Sequence, residues 1–327
     1  MLAAAHPQEE DIVPWFPEIL LSNGPAPTPS QEAGQPVPYY KGILDVSPDT
    51  LLASWSAEPR VDDPRAGLVT GAQPFLDYVL GTREWLALGD AAVRQVSLLR
   101  TAARSVEEVV LELFVGGERQ VLPVAVVAER DAEHLLTSVR VYHSLWPLFP
   151  NHPVHVPVIG AHDGVVLPHE VQLNQDARAT ADLDALLETY EDDAVVHACS
   201  AGDRVHCGKE QVYRGKEELR RLFSAPTVPG ARPRVTLCTA TDSGDRCAVE
   251  YQVTHFSEPR PDQVGITVYE RGASGRISSE RSYSVSRPST VVAERVNSPR
   301  PLRQPARRSH LALVPRQHAA QRTDRDR

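Results

Sequence analysis

A chain of 327 residues, 41% apolar and with a formal net charge of −9, is long enough for two ordinary domains and apolar enough to pack them. The acidic balance argues against nucleic acid as the main partner, because phosphate binding needs a basic field. No apolar run approaches the roughly 18 residues of a membrane span, and no secretory leader stands at the N-terminus.

Residues 1–40 are rich in Pro, Ala and Gln ("NGPAPTPSQEAGQPVP") and read as a disordered leader that buries little. From Asp49 the run "DTLLASWSAEPRVDDP" starts a short helix and ends in a pair of carboxylates, Asp62 and Asp63, before a proline. Gly71 opens a second helical pattern ("VTGAQPFLDYV"). Runs with period-two alternation follow ("VVLELFV", "QVLPVAVVAE", "LLTSVRVYHS"), as expected of strands. Residues 147–166, with prolines and His152 and His155, read as an extended linker.

The same grammar then returns. "DALLETYEDDAVVHA" from Asp184 matches the first helix, pairing Leu51-Leu52 with Leu186-Leu187 and Trp55 with Tyr190. "YRGKEELRRLF" sets Gly215 opposite Gly71. "CAVEYQV" sets Glu250 opposite Glu112, and "RISSERSYSV" sets Tyr283 opposite Tyr142. Five blocks in one order make this an internal duplication. The turns "DSGD" and "GASG" read as hairpin or bulge turns. Residues 287–327 are Arg- and Pro-rich and read as a disordered basic tail.

Helices before, strands after, is α+β order. The expectation is two tandem cone-shaped domains, residues 41–146 and 167–286, each with helices packed on a strongly curved antiparallel sheet. The four cysteines lie in the second half (Cys199, Cys207, Cys238, Cys247) and make no disulfide framework, so reduced thiols and a cytoplasmic location are expected. "VHACSAGDRVHCGKE" has zinc-type residues but lacks zinc spacing, so no metal is assigned. No nucleophile elbow, phosphate loop or dinucleotide fingerprint is present, and no cofactor is assigned.

The helices, the "YRGKEELRRLF" start and the meander ending "VYERGASGRISSERSY" resemble the nuclear transport factor 2-like superfamily, in its branch of SnoaL-like polyketide cyclases and ketosteroid isomerases. The resemblance implies a cone-shaped pocket for a small hydrophobic molecule, and a pseudo-dimer made within one chain. A homodimer of the whole chain, secondary metabolism as the setting, and cyclase, isomerase or epoxide-hydrolase chemistry are implied in the same way. It also places Asp63 at the general-base position, with Asp62 pointing the other way. Burial would raise the basicity of such a carboxylate; against this, Asp-Pro is ordinary turn chemistry. No aspartate stands in "VLPVAVVAE" to complete an isomerase oxyanion hole, and the second copy has Ala198 in place of Asp63.

Two readings stay open for Glu112 and Glu250: a second carboxylate at a pocket wall, or an outer-face glutamate paired with arginine across the domain contact. Glu112 is carried with Asp63 as a catalytic candidate. Trp55, Tyr78, Tyr142, His143, His197, Glu250, Tyr251 and Tyr283 are the ligand-binding candidates. A non-catalytic pair of domains used for ligand binding or assembly is the rival reading.

Overall fold

The computed structural model describes residues 38–143, 154–160, 164–198, 211–224, 234–254 and 263–286. The Ser47 side chain caps a short helix by accepting from the Thr50 amide at 3.2 Å, and Asp182 caps its counterpart by accepting from Ala185 at 3.0 Å. The first half runs α1 (Tyr39–Asp45), α2 (Pro48–Leu52), β1 (Arg60–Asp63), β2 (Gly67–Thr70), α3 (Ala72–Leu88), then β3 (Ala92–Arg100), β4 (Arg104–Val115), β5 (Glu118–Arg130) and β6 (Leu136–His143). The second half repeats it: α4 (His169–Thr180), α5 (Leu183–Glu188), β7 (Tyr190–Ala198), β8 (Gln211–Arg214), α6 (Gly215–Phe223), then β9 (Arg234–Asp242), β10 (Arg246–Thr254), β11 (Gln263–Arg271) and β12 (Ile277–Ser286). α1 begins inside the stretch read as leader, and Tyr39 and Tyr40 on it are buried.

Two six-stranded sheets result, in orders β2-β1-β6-β5-β4-β3 and β8-β7-β12-β11-β10-β9. The duplication read from the sequence is thus repeated strand for strand, and the α+β expectation holds. One feature differs. The sheets are mixed, because β1 runs parallel to β6 and β7 parallel to β12. The crossover through the whole meander allows that parallel pairing. Gly71 and Gly215, matched by sequence, both take positive φ (94° and 73°) at the start of a helix, where a side chain would be strained.

Each sheet carries a bulge at the same place. Ser97 pairs with Glu108 and Gln95 with Val109, leaving Val96 extra; Thr239 pairs with Glu250 and Leu237 with Tyr251, leaving Cys238 extra. Bulges bend and twist a sheet, as a cone requires. Alternation then sorts each strand. On β4, Val109, Leu111 and Leu113 face the helices, whereas Val106 joins a cluster with Ala125, Val127, Ala248, Ile266 and Val268, drawn from both halves. The molecule therefore has three apolar layers: one inside each cone, and one where the two sheets meet back to back.

Candidate functional site

Asp63 ends β1 and begins the tight turn into β2, which pairs it with Gly67. Its Oδ1 accepts from the amides of Arg65 (2.7 Å) and Ala66 (3.1 Å), so the turn reading is correct as far as it goes. The carboxylate is nevertheless 1% exposed, and Oδ2 accepts from the Tyr78 hydroxyl on α3 at 2.9 Å. Tyr78 in turn shares a hydrogen bond of 2.8 Å with the Tyr39 hydroxyl on α1. Burial and the nearby Asp63 charge hold Tyr78 well above the ordinary tyrosine range, and burial does the same to Tyr39. Asp63 thus sits at the end of a chain of two neutral phenols.

His143, at the end of β6, faces the same interior and bonds the Tyr40 hydroxyl through Nε2 at 3.0 Å. Burial pushes its pKa down to about 4, so the imidazole is neutral at pH 7. Trp85 on α3 stacks on it, and the Arg65 guanidinium lies 4.9 Å over the Trp85 ring. Deeper in the cone, Glu107 on β4 accepts from the Tyr39 amide and from Gln95 Nε2, each at 2.9 Å. Burial raises its pKa to about 7.

Trp55 lies in the same apolar layer, edge-on to Phe75 at 5.5 Å. Asp62 points away from this interior and meets His155 Nε2 at 2.8 Å and the Val158 amide at 3.4 Å. The structure brings Asp63, Tyr78, His143 and Trp55 into one cone, and the other candidates elsewhere.

Glu250, Tyr142 and Tyr283 belong to the contact between the sheets. Glu250 accepts two bonds from Arg140 (2.7 and 2.8 Å), one from Tyr142 (2.6 Å) and one from Thr239 (2.5 Å). Glu108 accepts two from Arg281 (both 2.7 Å), one from Tyr283 (2.8 Å) and one from Ser97. Arg140 also pairs with Glu129, and Arg281 with Glu270. Each half supplies an Arg and a Tyr to the other's glutamate, a reciprocal arrangement like that of a two-fold contact. Burial opposes ionisation of Glu250, but the Arg140 charge and the hydrogen bonds from Arg140, Thr239 and Tyr142 bring its pKa below the usual carboxylate value.

The counterpart of Glu250 in the structure is Glu108, four residues from the Glu112 matched in sequence. Glu112 instead pairs with Arg119 at the β4–β5 hairpin.

In the second cone, Glu280 is bonded by Arg178 (2.7 and 3.0 Å) and by Tyr190, and Phe223 covers the guanidinium at 4.9 Å. Tyr251 lies close over Gly265, where a Cβ would stand 2.7 Å from its hydroxyl oxygen. His197 sits half-buried on β7. Cys199, His206, Cys207, His152 and His255 lie outside the described residues. Among the described residues no group of three metal-ligating side chains occurs.

The sequence reading missed Tyr39, Tyr40, Arg65, Trp85, Glu107 and Glu108. The doublet Glu107-Glu108 within an alternating strand was a usable signal, since period two must send one carboxylate to each face of the sheet.

The profile of the SnoaL-like domain matches residues 172–280. Among solved structures the chain is similar to a candidate polyketide cyclase from Sinorhizobium meliloti, at 25% identity over 36% of this chain and 94% of that one, with a TM-score of 0.29. It is also similar to an NTF-2 like protein from Burkholderia xenovorans (22%, 37% and 82%, TM-score 0.28). A third is Rv0760c of Mycobacterium tuberculosis, solved in complex with estradiol-17β-hemisuccinate (20%, 35% and 89%, TM-score 0.28). No curated protein matches the chain. With the matched profile and the topology of the second sheet together, residues 172–280 are a SnoaL-like domain.

Proposed function

We propose that the chain is a small-molecule binding protein whose first cone is the working site and whose second cone is its structural partner, the two forming a pseudo-dimer within one chain. The sequence-assigned units, residues 41–146 and 167–286, are the two halves of that pseudo-dimer, and the first gains α1 from the stretch before it. In this reading Asp63 is an acid–base group for cofactor-free chemistry on a small, largely apolar molecule, of isomerase, cyclase or epoxide-hydrolase type. Glu112, engaged at the hairpin, has no part in it.

One observation supports the reading above the rest. The buried carboxylate of the second cone, Glu280, is neutralised by Arg178, whereas Asp63 has no ion pair among the described residues and is held by two amides and a phenol. A buried carboxylate without a cation is costly to keep for packing alone. With Tyr78 donating to Oδ2, the ionised Asp63 carboxylate is held in place to accept a proton from carbon or water.

A second reading, a non-catalytic module, is favoured by the filling of the first cone: Tyr39, Tyr40, Ile43, Phe75 and Leu86 are all buried within it. Deuterium exchange separates the two. Enolisable cyclic ketones are incubated with the protein in D2O and α-deuteration is followed by NMR. The proposal expects exchange that falls at least about a hundredfold in Asp63→Asn. Exchange equal in wild type and Asp63→Asn removes the acid–base role.

A further inference from the structure

The mouth of the first cone holds a cation, Arg65, that makes no ion pair within 4 Å among the described residues. Arg65 follows Asp63 in the β1–β2 turn, but only its backbone amide serves the Asp63 carboxylate. The Arg65 Nη2 donates to Thr82 Oγ1 at 2.5 Å, and the guanidinium plane covers Trp85. Its Nε is buried and has no hydrogen-bond partner among the described residues.

Four other arginines of the fold are engaged. Arg140, Arg178 and Arg281 each face a carboxylate, and Arg83 donates to the carbonyls of Ile43 (2.8 Å) and Val46 (2.7 Å). An arginine kept in a turn, laid on an aromatic ring and steadied by one hydroxyl, has its orientation fixed while N–H groups remain to be used.

Arg65 and Trp85 are both half-buried, so a solute reaches them from outside. Behind them lie the fully buried groups, Asp63, Tyr78 and His143. From solvent inward the half-buried cation and indole come first, and the buried imidazole, phenols and carboxylate lie behind them. A ligand that fits this order has an anionic group at the mouth and an apolar, unsaturated body.

The proposed working site thereby gains a ligand class. We infer that the first cone takes small carboxylic acids with an apolar or aromatic body, the carboxylate seated on the Arg65 guanidinium and the body against Trp85. A carboxylate suits the planar guanidinium fork, and the ring beneath holds the fork in position. The inference rests on the reading of the first cone as a ligand site, but not on Asp63 acting as a base.

The test uses the full chain and four probes: phenylacetate, 2-naphthylacetate and their primary amides, which keep the shape and remove the charge. Binding is read by calorimetry and by the shift in Tm. The two acids are expected to bind at least about tenfold more tightly than their amides, and to weaken as salt is raised. Arg65→Gln is expected to abolish the preference, and Arg65→Lys to keep part of it; the circular dichroism of both variants reports whether the fold is intact. Equal binding of acid and amide overturns the anion site while leaving the ligand-binding reading in place. An acid preference that survives in folded Arg65→Gln also overturns it. No binding by any of the four probes overturns both.

Discussion

Two buried titratable side chains in the first cone pull its stability in opposite directions with pH. Glu107 has its pKa raised by burial from 4.5 to about 7. The native state therefore holds its proton more tightly than the unfolded chain. Its contribution is full below about pH 4.5 and is lost as pH rises through about 7. His143 has its pKa lowered by burial from 6.5 to about 4. Its contribution is full above 6.5 and is lost as pH falls through about 4. Between these limits the two slopes oppose one another. Replacing Glu107 by Gln removes one of them. The variant should gain on wild type as pH rises from 5 to 8, by about 3 kcal/mol at the top of that range. Urea midpoints at each pH measure the gap, and a gap that does not change with pH contradicts the assignment.

At the same scale, Asp63 shows what sequence reasoning captured and where it stopped. The residues around it supported both a turn and a base, and the structure shows a turn whose carboxylate is buried and faces inward. Choosing between those readings needed the position of Tyr78, fifteen residues away on α3, which a local reading of "VDDP" does not contain. Tyr39 and Tyr40 were lost for a different reason. The prolines before them matched a leader, and only tertiary packing shows that the first turn of α1 enters the cone.

Among the elements, β4, β6, β10 and β12 hold the two halves together. Their outward faces carry Glu108, Arg140, Tyr142, Glu250, Arg281 and Tyr283, and each glutamate is served from the other half. Removing one member of a buried pair leaves the other charge stranded, which costs about 3–5 kcal/mol, while replacing both by apolar groups of similar size costs much less. Glu250→Ala should therefore destabilise by roughly 3 kcal/mol in chemical denaturation, with Glu129 still facing Arg140. The double change Glu250→Leu with Arg140→Met should be less harmful than either single change. Additive losses would show that the pair acts as two separate residues.

The strands themselves were legible, because alternation and turn residues mark them. The register was not. Glu108 and Glu112 lie four residues apart on the same face of β4, so alternation alone does not choose between them, and Glu112 was matched where Glu108 belongs. The parallel pairing of β1 with β6 was equally hidden, since it joins segments some 80 residues apart with no local signature.

Across the whole molecule, one architecture is used twice with different interiors. Both halves share strand order, helix starts, bulge position and contact chemistry. The interiors differ in how a buried carboxylate is satisfied: Arg178 neutralises Glu280 in the second cone, whereas amides and phenols hold Asp63 in the first. On this difference rests the proposal that the first cone is the working half and the second its support. The repeated strand order was visible in the sequence because residue types recur there at fixed spacing. The asymmetry was only half visible, as Ala198 standing for Asp63, because the pair Arg178–Glu280 joins a helix to a strand about 100 residues later.

The most direct measurement of this asymmetry is the binding stoichiometry of an aryl-acetate ligand to the full chain, by calorimetry. One ligand should bind per chain; its affinity should fall at least about tenfold in Arg65→Gln and be kept in a second-cone variant such as Arg178→Gln that remains folded. Two equivalent ligands per chain, or one whose affinity is unchanged in Arg65→Gln and lost in folded Arg178→Gln, would place the working site in the wrong half.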